Sequence, residues 1–177
     1  MAPPIAAMLA LTIATEGQAP DHGAWPPRPL TVGPAWSPGG TMFPTMANMD
    51  DLARMATELP EVTEAERHGN RTWFVADKAF AWERPFSKAD LRRFGNTVPP
   101  TGPIVAIRVA DLAEKEAVLA SSSKAIFTIP HFDGFAAILV QLKTVTKSAL
   151  RDAVLDGWLA CAPPGLAHEY LSDRRLE

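Results

Sequence analysis

The chain has 177 residues, of which 47% are hydrophobic and 21% are charged, and its net charge is −3. These values are typical of a globular domain, and the acidic balance excludes attraction of nucleic acid or membranes by the charge of the whole chain. A single cysteine, Cys161, excludes an intrachain disulfide framework and a cysteine-based zinc site, and it favours a reducing, cytoplasmic location.

Residues 1–45 differ in composition from the rest of the chain. They contain nine of the 17 prolines and five of the 11 glycines, but only three charged side chains. Such a stretch cannot bury enough apolar surface to offset the entropy lost on ordering. The sequence therefore predicts a flexible Pro/Gly-rich extension over residues 1–45 and one domain over residues 46–177. A signal peptide with its apolar core at Ile5–Ala14 is the alternative, although no Lys or Arg precedes that run.

A helix opens the predicted domain. Apolar residues recur at helical spacing between Leu52 and Leu59, and Pro60 ends the run. Either Asn48 or Asp50 can cap the start, because a short polar side chain accepts a hydrogen bond from a free backbone amide of the first turn. The sequence therefore predicts a helix between residues 48 and 60.

Two β-rich runs follow this helix, Arg71–Ala76 and Lys78–Arg84, and the tight junction at Asp77 predicts a hairpin between them. The polar stretch Glu61–Gly69 in front of the hairpin is expected to be extended only in part. The segment Ser87–Arg93 begins with a capping-box pattern, in which a serine and the aspartate three residues later bond each other's backbone amides. This pattern predicts a short helix.

The next elements alternate between strand and helix. Pro103–Val109 predicts a strand whose valine and isoleucine residues at odd-numbered positions share one face. Asp111 and Glu114 have the spacing of a second capping box, and they predict a helix that reaches about Ala120.

The segment from Lys124 to Leu142 organises the predicted fold. Its two apolar runs, Ala125–Ile129 and Phe135–Val140, flank a Pro-His-Phe-Asp-Gly sequence. An Asp-Gly pair between β-rich runs is typical of a hairpin turn. The second run is apolar on both faces, which indicates a central strand that is covered on both sides.

A last helix completes the predicted domain. Thr144 or Thr146 caps its start, and it reaches about Ala160. Pro163–Gly165 then ends it, and a polar tail follows. The order of elements is α-β-β-α-β-α-β-β-α, with a hairpin at each end of the sheet. This order predicts an α+β fold: a single small domain with a mostly antiparallel sheet and helices packed on it.

Four stretches of the chain resemble the MmcQ/YjbR family: Leu59–Val62, Lys78–Pro85, Phe127–Gly134, and the closing helix with Trp158 and Ala162-Pro163. The resemblance covers about Met49 to Ala167, and its most specific parts are the Pro-His-Phe-Asp-Gly turn and the final helix. It implies a small fold similar to that of CyaY and frataxin. It also implies the double-wing DNA-binding role proposed for that family, and it carries over no catalytic residues.

A basic stretch is the main candidate for a binding site. Between Arg67 and Arg93, seven positive side chains stand against three negative ones, in a chain that is net acidic. Cationic side chains bind nucleic-acid phosphates, and the interleaved aromatic rings can stack on bases. The simpler interpretation is that the rings fill the core and the charges face water. The candidate phosphate contacts are Arg67, Arg71, Lys78, Arg84, Lys88, Arg92 and Arg93.

His131 and Asp133 in the predicted turn are a second candidate. A histidine and a carboxylate two residues apart could line a ligand pocket, bind a metal or move a proton. A metal site needs about three or four ligands and no other His or Cys cluster is evident, so no metal is expected unless the fold brings His68, Glu64 and Glu66 close. The sequence has no nucleotide-binding loop motif, and no cofactor is expected. Asp133 has a simpler role as a turn residue that bonds local backbone amides.

The sequence thus predicts a non-enzymatic protein that binds DNA weakly, through phosphates and without sequence preference. The alternative is a small-ligand or protein-interaction module that uses a pocket near the His131–Gly134 turn. A continuous positive face across Arg67–Arg93 would favour DNA, and a concave apolar pocket with few polar groups would favour the alternative. No membrane partner is expected, and the sequence does not indicate an oligomeric state.

Overall fold

The computed structural model describes residues 46–121 and 123–174, so the extension predicted at residues 1–45 lies outside the described residues. Within them the chain forms five α-helices, six β-strands and a 3-10 helix at Pro130–Phe132. The helices are α1 (Met49–Thr57), α2 (Lys88–Arg93), α3 (Leu112–Ser121), α4 (Lys147–Cys161) and α5 (Pro164–Asp173). The strands are β1 (Val62–Arg67), β2 (Asn70–Val75), β3 (Lys78–Glu83), β4 (Ile104–Arg108), β5 (Ile126–Phe127) and β6 (Ala137–Gln141).

The six strands form one sheet in the order β1-β2-β3-β4-β6-β5, and every neighbouring pair is antiparallel. The predicted α+β fold, with an antiparallel sheet and helices packed on it, is confirmed. β6 lies between β4 and β5, and its first four residues are buried, as its apolar sequence predicts. Two-residue turns join β1 to β2 and β2 to β3. Their residues, His68-Gly69 and Ala76-Asp77, all have positive φ, which is typical of type I′ hairpin turns.

One face of the sheet carries the main core. α1 and α4 pack together on this face, where Trp73, Phe80 and Trp158 are fully buried. The indole of Trp158 also donates a hydrogen bond to the carbonyl oxygen of Pro60 at 3.1 Å. Burying one large apolar side chain stabilises a fold by roughly 1.5–3 kcal/mol. The many such side chains on this face therefore supply most of the apolar stabilisation of the domain.

The opposite face of the sheet carries a smaller core. Ala106 and Leu139 lie on this face and are buried together with Phe132, which belongs to the loop between β5 and β6. Trp82 of β3 packs against this cluster while remaining half-buried. Beyond Trp82, towards β2, the same face borders the cleft described below.

The polar stretch Glu61–Gly69, expected to be extended in part, contains strand β1, and its single large apolar residue, Val62, leaves no alternation that would mark the bounds of the strand. Five of the six residues of β1 are exposed, as expected of an edge strand. The prediction of a polar tail after Pro163–Gly165 is wrong, because the structure has helix α5 there. Pro164 begins α5, because proline is favoured at the first position of a helix.

The predicted hairpin of β5 and β6 exists, but its connection is longer than a tight turn. Only Ile126 and Phe127 join the ladder, and residues 128–136 separate the two strands. The 3-10 helix occupies this loop, since Pro130 has no backbone N–H to donate to a strand partner. Gly134 follows with a φ of 72°, the left-handed conformation that its Asp-Gly sequence predicts.

Candidate anion-binding cleft

A cleft with a volume of about 690 Å³ runs along β2 and β3. It reaches from the β1–β2 turn to the β2–β3 turn, which lie at opposite ends of β2, roughly 17 Å apart. Arg67 lines the cleft at the first turn and Lys78 lines it at the second. Arg108 of β4 and Phe135 of the loop before β6 also line it.

The cleft is positively charged. Four cationic side chains line it against two acidic ones, which is a surplus of two in a chain whose net charge is −3. Among the described residues, no ion pair engages Arg67, Lys78 or Arg108. Their charges are therefore available to an anion. The cationic residues are Arg67, Lys78, Arg84 and Arg108, and the acidic residues are Asp77 and Glu83.

Arg84 differs from the other three cations because it is bound to Asp90. Its Nη2 donates to Asp90 Oδ2 at 2.9 Å, and its side chain is only 17% exposed. Burial alone would raise the pKa of Asp90, but hydrogen bonds from Ser87 and Arg84 lower that pKa to about 2. The charge of Arg84 is therefore largely compensated, and its main effect is to hold α2 against β3.

Aromatic rings form part of the cleft wall. The ring centroids of Trp82 and Phe135 lie 6.2 Å apart in an edge-to-face arrangement. Phe132 lies behind them, 5.8 Å from Phe135. Phe135 is 43% exposed although it is large and apolar, and the guanidinium of Arg108 lies 4.8 Å from its ring centroid. The wall therefore combines accessible aromatic surface with a cation, a combination that suits a planar anionic ligand.

A buried lysine holds the loop that carries two of these rings. Lys115 of α3 is 5% exposed, and its Nζ donates to the carbonyl oxygen of Phe132 at 2.6 Å and to that of Phe135 at 3.1 Å. Burial lowers the pKa of Lys115, and the carboxylate of Asp133 opposes this shift. α3 thus fixes the loop and places Phe135 at the edge of the cleft.

The structure distributes the seven predicted phosphate contacts over three places. Three line the cleft, and three lie exposed on α2. Arg71 lies on the opposite face of the sheet from its neighbour Thr72, and its Nε donates to Glu64 Oε1 at 2.6 Å. The positive surface is therefore interrupted at Arg71. The cleft group is Arg67, Lys78 and Arg84, and the α2 group is Lys88, Arg92 and Arg93.

The two residues of the alternative pocket lie outside the cleft. His131 and Asp133 are exposed on the loop, and the cleft touches this loop only at Phe135, directly after Gly134. Asp133 acts on the site indirectly, through its attraction to Lys115. In the part of the chain that the structure describes, no group of three or more His, Cys, Asp or Glu residues could hold a metal ion.

Sequence reasoning missed Arg108 and Lys115. A signal for Arg108 exists, because it is the single charged residue of β4 and its position alternates with those of Val105 and Ile107 of the main core. What the sequence does not show is that β4 lies beside β3, which brings Arg108 to the same cleft as Trp82. Lys115 gives no signal, since a lysine within a helix normally faces water.

The chain is 40% identical over 131 residues to Rv2570, an uncharacterised protein of Mycobacterium tuberculosis strain H37Rv. The match covers 72% of this chain and 98% of the relative. The chain belongs to the same family as Rv2570. Mb2600 of Mycobacterium bovis and MT2646 of Mycobacterium tuberculosis strain CDC 1551, both uncharacterised members of this Rv2570 family, match with the same identity and coverage. No family model matches the chain.

Among solved structures, the chain is similar to the Deinococcus radiodurans protein DR2400, a DUF419 domain, with a TM-score of 0.44 and 19% identity. The similarity covers 66% of this chain and 80% of DR2400. Within residues 46–121 and 123–174 of this Rv2570-family member, every helix is too short or too polar to cross a membrane.

Proposed function

We propose that this protein is a non-enzymatic nucleic-acid-binding protein of the MmcQ/YjbR type. It binds phosphates weakly and with little sequence preference. The observation that carries the proposal is the cleft in which Arg67, Lys78 and Arg108 have no ion-pair partner among the described residues. Cations in a groove attract a phosphate backbone and release its counterions, whatever the base sequence. The sequence resemblance described above supports the family type.

Phosphates are better targets than base edges for this surface. Reading base edges in the major groove requires a protruding helix or β-ribbon that carries suitable side chains. α2 has six residues, and its exposed cations, Lys88, Arg92 and Arg93, suit contact with a phosphate backbone. Arg93 also forms an ion pair with Asp90, in which Nη1 of Arg93 lies 3.5 Å from Oδ1 of Asp90. α2 therefore offers additional phosphate contacts without adding base recognition.

Fluorescence anisotropy tests the proposal with a labelled random-sequence duplex and a labelled random single strand, each titrated at several salt concentrations. Contacts to about three phosphates give a log–log salt slope of about −3 on the duplex and about −2 on the single strand. Replacing Arg67 and Lys78 together by Ala should flatten the duplex slope by about two units and weaken all sequences alike.

The matched control replaces Lys124 and Arg151 together by Ala. This variant removes the same charge from exposed positions outside the cleft, so it should leave the salt slope unchanged. The proposal is overturned if the folded wild-type protein binds neither probe at the lowest salt concentration. It is equally overturned if the control variant loses as much affinity as the cleft variant.

A small anionic ligand is the second candidate, because a volume of about 690 Å³ lies within the usual range of small-molecule sites. The basic lining requires that such a ligand carry an anionic group. A rise in the melting temperature with inorganic phosphate or a mononucleotide, in a protein that binds neither nucleic-acid probe, would favour this candidate.

A further inference from the structure

The cleft is concave, whereas duplex DNA presents a convex surface. In a duplex the faces of the bases are stacked on one another, so a protein ring reaches them only after a base has left the stack. Unpaired bases can splay out and stack on aromatic side chains or on guanidinium planes. Because Trp82 and Phe135 line a recess, their surfaces serve an unpaired base better than a paired one.

Phe135 is both exposed and anchored, as stacking with a base requires. The residue is 43% exposed, while its backbone carbonyl oxygen accepts a hydrogen bond from the buried Nζ of Lys115 at 3.1 Å. The ring is therefore accessible without being loosely attached. The guanidinium of Arg108 lies 4.8 Å from the ring centroid and can itself stack on a base. The ring of Trp82 stands at 73° to that of Phe135, so it forms a side wall next to this stacking surface.

The cations lie at positions that suit the phosphates of a nucleic-acid strand. Arg67 and Lys78 stand at the two ends of β2, roughly 17 Å apart, with Trp82 between them along the cleft. A nucleic-acid strand that lies along the cleft brings phosphates to both ends and a base to the aromatic side chains between them. This is the combination of groove charge and stacking used for unpaired strands.

We propose that the cleft binds single-stranded nucleic acid, with phosphates at Arg67 and Lys78 and an unpaired base stacked on Phe135 or on the guanidinium of Arg108, with Trp82 beside it. This inference rests on the proposed function and specifies its ligand. It predicts that affinity depends on the presence of bases, in addition to the number of phosphates.

The experiment compares four labelled probes by anisotropy at one low salt concentration: a 12-nucleotide oligothymidylate, an oligouridylate, an abasic strand of equal length and a duplex of equal length. The full-length protein should bind the better of the two base-bearing strands about tenfold more tightly than the abasic strand, because one stacked base supplies a gain of this order. The duplex should bind more weakly than that strand. This comparison uses the wild-type protein and needs no variant.

The variant Phe135→Leu then tests whether the contribution of the bases to affinity depends on the ring of Phe135. It should remove most of the difference between the base-bearing and abasic strands while leaving the affinity for the abasic strand unchanged. Leu91→Ala is the matched control, because Leu91 is 46% exposed on α2 outside the cleft, and it should change neither affinity. Melting temperatures close to that of the wild type confirm that both variants are folded.

The outcomes separate this inference from the proposed function. Equal affinity for base-bearing and abasic strands, or a duplex that binds at least as tightly as the single strands, overturns the inference and leaves phosphate binding intact. Thymidine monophosphate that binds as tightly as the 12-nucleotide strand also overturns it, since the site would then hold a single nucleotide. Failure of every probe to bind overturns the proposed function and the inference together.

Discussion

Lys115 shows how one side chain can set the shape of the cleft. Its ammonium group is buried under the loop and satisfies the carbonyl oxygens of Phe132 and Phe135. Replacing Lys115 by Met keeps an unbranched side chain of similar length but removes this donor. The two carbonyl oxygens still accept hydrogen bonds from the backbone amides of Phe135 and Ala137. The free energy of unfolding should therefore fall by only about 1 kcal/mol, as measured by urea denaturation.

The control for this prediction is Lys124→Met. Lys124 is exposed, so its loss should change the free energy of unfolding by no more than about 0.5 kcal/mol. A wild-type midpoint for the Lys115 variant would show that the loop is held by its apolar contacts alone, and that Phe135 does not depend on α3 for its position.

Helix α4 approaches the sheet most closely at Gly157. A Cβ atom added there would lie 2.6 Å from Cγ2 of Ile107, 3.2 Å from the Arg108 carbonyl oxygen and 3.3 Å from the Phe80 carbonyl oxygen. Alanine normally stabilises a helix relative to glycine by about 1 kcal/mol. Gly157→Ala should instead lower the free energy of unfolding by roughly 1–3 kcal/mol, because the helix and the sheet must separate to admit the methyl group.

Gly165→Ala in α5 provides the comparison, since a Cβ atom at that position meets nothing within 4 Å. This variant should be neutral or stabilising by up to about 1 kcal/mol. Chemical denaturation of the two variants measures both effects. If Gly157→Ala stabilised the protein as Gly165→Ala should, the packing of α4 on β3 and β4 would not be as close as the structure has it.

At the scale of the whole molecule, features that depend on neighbours along the chain are predictable from the sequence. Asn48, Ser87 and Thr146 each accept a hydrogen bond from the amide three residues later, as their cap positions predict. The cleft depends on strand order instead. Arg67, Lys78 and Arg84 could be named in advance, because they belong to one basic stretch, whereas Arg108 joins them only through the pairing of β3 with β4.

The stability of the whole molecule should fall in acid because buried carboxylates join its elements. A hydrogen bond from Lys147 of α4 lowers the pKa of Asp51 in α1, and Asp90 has a pKa of about 2. A carboxylate whose pKa is depressed by folding contributes stability above its unfolded value of 3.8, and this contribution is lost as the pH falls towards 2. For Asp90 alone, the contribution is about 2 kcal/mol.

Asp156 of α4 has the opposite effect. Burial, together with the charges of Glu114 and Asp152, raises the pKa of Asp156 to about 6. Folding therefore favours the protonated acid, and ionisation destabilises the protein above pH 6. This lost stability is regained as the pH falls from about 6 to about 4, before the acid loss begins. The two effects together predict maximal stability near pH 4.

The variant Asp156→Asn tests this pH dependence, because asparagine imitates the protonated acid at every pH. It should raise the free energy of unfolding at pH 8 by about 1–2 kcal/mol, after allowance for solvent screening of a partly exposed group, and change it little at pH 4. Urea denaturation at both pH values measures the difference. Asp152→Asn, at an exposed position on the same helix, should give a much smaller gain at pH 8. A gain from Asp156→Asn that is equal at pH 4 and pH 8 would contradict the prediction, because it would arise from packing or helix propensity and not from the ionisation of Asp156.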